Sequence, residues 1–156
     1  MIIYPVPGKY HVNDTFDVSI IVPMYNSKKV IIDQIRQWPN DNENLKIEII
    51  YVNDNCPEHS SQIVMRDWKD KPDTSKFTIK LILNKTNHGF GQACNIGAYH
   101  AKGKYLIFLN ADTRPEPNWI RPIYDLFESD NNIGIIGNLQ IKEGGEHHGT
   151  IDSAGS

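Results

Sequence analysis

Three observations predict an α/β layered fold with a mainly parallel central sheet flanked by helices. Short apolar runs rich in β-branched residues recur at residues 18–22, 47–52, 77–83, 105–109 and 133–136. Segments with helical periodicity lie between them, and strands that alternate with helices build parallel sheets. Polar residues directly follow three of the runs, as Pro23-Met24-Tyr25-Asn26, Asn53-Asp54-Asn55 and Asn110-Ala111-Asp112. Such sheets bind ligands at the carboxyl ends of their strands, so these three places are the first to search for chemistry.

Taken in order, residues 1–16 read as an irregular N-terminal extension, broken by Pro5, Pro7, Gly8 and Asn13-Asp14. The run at 18–22 suits a buried strand and is expected to stop at Pro23. Ser27 can cap a helix reaching Trp38, with Ile31, Ile35 and Trp38 on one face. Residues 47–52 form the second strand, followed by the polar turn Asn53 to Pro57 and a helix over 58–69. A third strand covers 77–83. Residues 89–101 read as a helix with small residues on one side, and Gly103 as its C-terminal stop. Residues 105–109 are the fourth strand, and 119–127 a helix with Ile120, Ile123 and Phe127 on one face. Residues 133–136 are the fifth strand, which 139–141 continue after a break. From Gly144 onward the chain is rich in Gly, His and Ser.

Composition narrows the function classes. The 156 residues suggest one domain. With 16 Lys+Arg against 19 Asp+Glu the net charge is −3, without the basic excess of a general nucleic-acid binder. Charged residues at 22% do not make a disordered tail. The two cysteines, Cys56 and Cys94, make no disulfide framework and suit a reducing compartment. No apolar run approaches the roughly 20 residues of a membrane span. The reading is a cytoplasmic protein, with the inner membrane face as an alternative site of work.

Each strand end carries a different tool. Tyr25 offers an aromatic plane on which a base could stack. Asp54 is an acceptor for a pyrimidine N–H, with a plain Asx turn as the alternative. Asp112, two residues after Asn110, offers hard oxygen ligands; a divalent cation on a diphosphate needs few more from protein, because phosphates and water complete its shell. Asp112 could also simply open a Pro-containing turn. Cys56, without a CxxC partner, reads as an incidental thiol. Glu146-His147-His148 lacks a third ligand in register and is a poor metal site. Trp38, Trp68 and Trp119 suit core helix faces.

The motif order resembles the family 2 inverting glycosyltransferases of the GT-A, Rossmann-like nucleotide-sugar-binding fold, over roughly residues 17–155. Val18-Ser19-Ile20-Ile21-Val22-Pro23-Met24-Tyr25-Asn26 is similar to the family's opening strand and turn. Glu48-Ile49-Ile50-Tyr51-Val52-Asn53-Asp54 resembles its second strand, Asn87-His88-Gly89-Phe90-Gly91 its Asn-x-Gly-Phe-Gly helix opening, and Gly103 to Asp112 the strand leading into Asp-x-Asp. Ile133-Gly134-Ile135-Ile136-Gly137 and Gly149-Thr150-Ile151 are similar to the rhamnosyltransferase-like branch.

The resemblance implies transfer of a sugar from a UDP- or dTDP-linked donor to a glycan or lipid-linked acceptor, with inversion. Pro23 and Tyr25 would line the base pocket with Asn26, and Asp54 would bond the uracil or thymine. Gly89 would approach the sugar phosphates. Asn110, Ala111 and Asp112 would border the diphosphate, with Asp112 holding Mn²⁺ or Mg²⁺. Asn53 and Asn110 replace usual aspartates of the family; the second change removes one charge at the cation, which leaves metal dependence less strongly implied than nucleotide binding. The resemblance also implies that the domain, residues 17–156, is incomplete at its C-terminus. The acceptor site and the catalytic base would then lie beyond it, with self-association through the exposed edge. No residue here is assigned as the base. A non-catalytic nucleotide-sugar-binding module is the alternative. A dinucleotide-binding oxidoreductase is weaker, because Gly89 to Cys94 lacks the third glycine of GxGxxG and follows the third strand rather than the first.

Overall fold

The computed structural model describes residues 2–5, 15–39, 43–70, 77–141 and 151–154. Two compact units divide the chain at Trp119 and Ile120. The first unit holds strands β1 (Ile2–Pro5), β2 (Phe16–Met24), β3 (Ile47–Asn53), β4 (Phe77–Leu83) and β5 (Gly103–Phe108) and helices α1 (Lys28–Gln37), α2 (Ser60–Asp70) and α3 (Phe90–His100). Its sheet runs β1-β4-β3-β2-β5, with the four strands β4, β3, β2 and β5 parallel and β1 antiparallel on β4.

The mainly parallel sheet is therefore as expected, and the three inner strands, β4, β3 and β2, are buried along almost their whole length. One face carries Ile20, Ile49, Tyr51 and Ile79 under α1 and α2. There Trp38, Trp68 and Phe77 meet edge-on or tilted at centroid distances of 5.9 to 6.5 Å. Each such fully buried side chain contributes about 1.5–3 kcal/mol. The Trp68 indole N–H donates to the Tyr51 hydroxyl at 3.1 Å, and burial raises the Tyr51 phenol above its ordinary range. The other face carries Ile21, Ile50, Val52 and Ile82 against Ala93 of α3. Gly97 lets α3 come close, since a Cβ there would lie 2.5 Å from Ile21 Cγ2.

Several expectations need correction. Residues 2–5 of the N-terminal stretch form β1 on the sheet edge, where Pro5, the last residue, is tolerated. Pro23 does not stop β2. Ile21 C=O accepts from Leu109 N–H on the β5 side and Met24 C=O from Asp54 N–H on the β3 side. Pro23 has the parity of Ile21, so its missing N–H faces the side where β5 has already ended. Gly103 is not the stop of α3, whose C-cap is Ala101. It opens β5 against Ser19, whose backbone and hydroxyl a Cβ would overlap.

The second unit holds α4 (Ile120–Ser129) and an antiparallel pair, β6 (Leu139–Ile141) with β7 (Ile151–Ala154). Ile120 is buried and Ile123 and Phe127 half-buried. No strand forms at 133–136. Ile135 stands 88% exposed, and without a ladder partner a short run flanked by Gly134 and Gly137 has no hydrogen bonds to make it a strand. Glu146-His147-His148 lies outside the described residues.

Candidate functional site

A cavity of about 840 Å³ opens at the carboxyl ends of β2 and β3, within the first unit. Pro23, Tyr25, Asn26, Asp54, Gly89, Asn110, Ala111 and Asp112, the eight residues singled out in the sequence, all line it. The chain brings them there from four segments because each parallel strand delivers its following loop to the same edge. Met24, Ser27, Val30, Asn87, Phe90 and Ala93 complete the wall. Phe90 belongs to the Asn87 to Gly91 helix opening but is not among the residues singled out; in space it stands 61% exposed at the cavity.

The loop after β2 turns tightly. Asn26 takes φ 50°, a left-handed conformation that asparagine tolerates. Ser27 occupies the N-cap position of α1 but its hydroxyl does not cap the helix. It accepts from Tyr25 N–H at 3.0 Å and donates to Tyr25 C=O at 3.1 Å, which fixes the turn instead. The Tyr25 side chain is left half-exposed at the cavity.

The loop after β3 is tied to the one after β2. Asn53 Oδ1 accepts from Cys56 N–H at 2.7 Å, and Cys56 Sγ accepts from Asn26 N–H at 3.2 Å and meets Ser60 Oγ at 3.2 Å. Burial pushes the Cys56 thiol up. Hydrogen bonds with Ser60 and with the backbone at Glu58, Asn26 and Ser27 outweigh it and bring the thiol below its ordinary value. The thiol read as incidental thus joins two walls of the cavity.

Asp54 is 2% exposed and its carboxylate is already occupied. Oδ1 accepts from Asn84 Nδ2 at 2.9 Å and His88 N–H at 3.0 Å; Oδ2 accepts from His88 N–H at 2.9 Å and Gly89 N–H at 2.8 Å. Three internal N–H donors, with that of His88 shared between the two oxygens, hold this buried carboxylate, which leaves about one lone-pair site for a nucleobase N–H. What Asp54 holds is the opening of α3. Gly89 caps that helix at φ 82°, which needs glycine, and a Cβ on Gly89 or Gly91 would meet nothing within 4 Å. Open space therefore lies before the first N–H groups of α3, where the helix dipole favours an anion.

Asn110 to Thr113 form a tight turn closed by Thr113 N–H on Asn110 C=O at 3.1 Å. Ala111 is buried beneath it, while Asn110 and Asp112 are exposed. No cluster of three or more His, Cys, Asp or Glu side chains able to hold a metal exists among the described residues. One open carboxylate fits a cation that brings most of its ligands as phosphate and water, and does not fit an all-protein cage. His88 points to no phosphate site by its backbone, which is spent on Asp54, and its ring pairs with Thr86 Oγ1 at 3.0 Å. No helix among the described residues is long and apolar enough to cross a membrane.

Comparison with known proteins agrees with this architecture. The glycosyl transferase family 2 profile matches residues 19–154. An uncharacterised glycosyltransferase of Haemophilus influenzae is 34% identical over 125 residues, 77% of this chain and 35% of that protein. The crystal structure of S. aureus TarS superposes with a TM-score of 0.58 at 21% identity, covering 72% of this chain and 20% of that one. The mannosyltransferase PcManGT of Pyrobaculum calidifontis, solved with GDP-Man and Mn²⁺, superposes with a TM-score of 0.52 at 25% identity over 65% of this chain and 29% of that one. The chain spans only a fifth to about a third of the length of these proteins. Its fold is the GT-A fold of such glycosyltransferases, and the chain belongs to glycosyl transferase family 2.

Proposed function

We propose that this chain supplies the donor site of an inverting sugar transfer, from a UDP- or dTDP-linked sugar to a glycan or lipid-linked acceptor, in the rhamnosyltransferase-like branch of the family. The observation that carries the reading is the convergence of Pro23, Tyr25, Asp54, Gly89 and Asp112, from separate loops, on one cavity at the strand ends. Pro23 and the exposed Tyr25 ring offer the flat apolar surface a base stacks on. Asn26 borders the same end of the cavity. The α3 opening at Gly89 faces the anionic middle of the donor, and Asn110, Ala111 and Asp112 border its diphosphate.

Asp112 would hold the divalent cation, Mn²⁺ or Mg²⁺, which when bound offsets charge on the departing nucleoside diphosphate. In an inverting transfer the acceptor oxygen bonds to the anomeric carbon as that carbon's bond to the phosphate oxygen breaks. The hydroxyl proton passes to a carboxylate base, which is not assigned to a residue of this chain. The Mn²⁺ in the PcManGT complex supports the cation.

A thermal-shift panel tests the reading, because ligand binding to the native state raises the melting temperature by mass action. UDP or dTDP with Mn²⁺ should raise it, GDP less, and NADH not at all. A cooperatively melting protein that no nucleotide stabilises would overturn the proposal.

A further inference from the structure

Gln34 sits in the second turn of α1 and is 1% exposed, between the buried Ile31 and Ile35. An apolar side chain would suit that face. Instead Nε2 donates to Asn110 C=O at 2.8 Å and to Thr113 C=O at 3.0 Å. Both partners are acceptors, which fixes which end of the amide faces them. Both N–H groups of the amide are used, and Oε1 is left buried without a hydrogen-bond partner. A buried acceptor left unpaired is destabilising. Stability alone therefore does not explain a glutamine here.

The two carbonyls are the first and last of one four-residue turn, and Asp112 is inside it. Thr113 N–H already closes that turn on Asn110 C=O. Gln34, buried and not itself part of the cavity wall, adds a second closure, while Ala111 is buried and Asp112 is left exposed at the cavity. A turn with one internal bond can rock; one whose two end carbonyls share a single buried amide cannot, without leaving those carbonyls unpaired.

We propose that Gln34 is a positioning residue for Asp112: it fixes the turn so that the carboxylate meets the cation and diphosphate without reorganising first. This rests on Asp112 being the cation ligand. Nothing in the sequence pattern marks Gln34, because its partners lie 76 and 79 positions away.

The test is isothermal titration of UDP, with and without Mn²⁺, on wild type, Gln34→Met, Asp112→Ala and the double variant, with melting temperatures measured in parallel. Gln34→Leu serves if Gln34→Met does not melt cooperatively. Loss of an outer-shell partner typically costs about 10- to 100-fold in metal affinity. Gln34→Met should therefore weaken Mn²⁺-dependent binding about tenfold or more, leave metal-free UDP binding unchanged, and add nothing in the Asp112→Ala background. Equal weakening with and without Mn²⁺, or full additivity with Asp112→Ala, would assign Gln34 to the core alone and overturn the proposal. An Asp112→Ala effect without a Gln34→Met effect would overturn the positioning role and spare the cation reading. No effect of Asp112→Ala would overturn both.

Discussion

Glu48, Lys80 and Ser19 lie toward the amino-terminal half of the sheet on the α3 side, and they satisfy one another. Glu48 is 0% and Lys80 3% exposed. Lys80 Nζ lies 2.6 Å from Glu48 Oε2, and Glu48 Oε1 accepts from Ser19 Oγ and from Lys102 N–H at 2.5 Å each. Ser19 Oγ accepts from Gly103 N–H at 2.7 Å, and Lys80 reaches His100 C=O at 3.3 Å. At the carboxyl end the polar groups divide differently. Buried Asp54 spends its hydrogen bonds on the Asn84 amide and on backbone, Gln34 spends its N–H groups on backbone, and the exposed Asp112 and Asn110 are left toward the cavity. The same residue types thus serve as closed structure at one end and as an open site at the other. The difference is whether the chain itself supplies every partner.

Breaking the closed end should show the largest effect on stability. Lys80→Met leaves Glu48 buried and uncompensated, a change that typically costs about 3–5 kcal/mol. Denaturant unfolding should show that loss. If Lys80→Met melts like wild type, Glu48 is not held as an ion. Gly103→Ala forces a methyl onto Ser19 in the same network, and overpacking of this kind costs about 1–3 kcal/mol.

At the open end, Asp54→Asn sharpens the comparison. The amide turns a donor toward His88 and Gly89 N–H groups that need acceptors. UDP and GDP binding should weaken together, and amide hydrogen exchange at Gly89 should speed up. Selective loss of uracil nucleotides, with exchange unchanged, would instead make Asp54 a base contact.

The smallest expected effect is a pH dependence at the closed end. Burial, and then the charge of Lys80, hold the His100 imidazole below its ordinary value. The unfolded chain then takes up a proton before the folded one does, so this group's contribution to stability is intact above about pH 6.5 and falls as the pH drops below it. His100→Gln should flatten that part of the stability profile. An unchanged slope would place the dependence on other groups.

The sequence made the strands and the strand-end residues legible because both are local. β-branched runs form β2, β3 and β4 wherever they stand in the chain, and a parallel sheet delivers Tyr25, Asp54 and Asp112 to one edge. What depends on tertiary partners was not legible. Pro23 could continue β2 only because β5 ends beside it. Gly103 answers to Ser19, 84 positions away. Residues 133–136 have strand composition but pair with no strand. Ser27 and Val30 line the cavity, and Gln34 holds the turn from Asn110 to Thr113, through contacts no spacing rule announces.

The role of Asp112 at the donor site is tested by a calorimetric titration of UDP in Mn²⁺ into wild type and Asp112→Ala, with the melting temperature read on the same samples. Asp112→Ala should melt as wild type does, since its exposed carboxylate holds up nothing, yet lose the Mn²⁺-dependent part of binding. A variant that binds as wild type does, or one that loses binding only because it no longer folds, would contradict it.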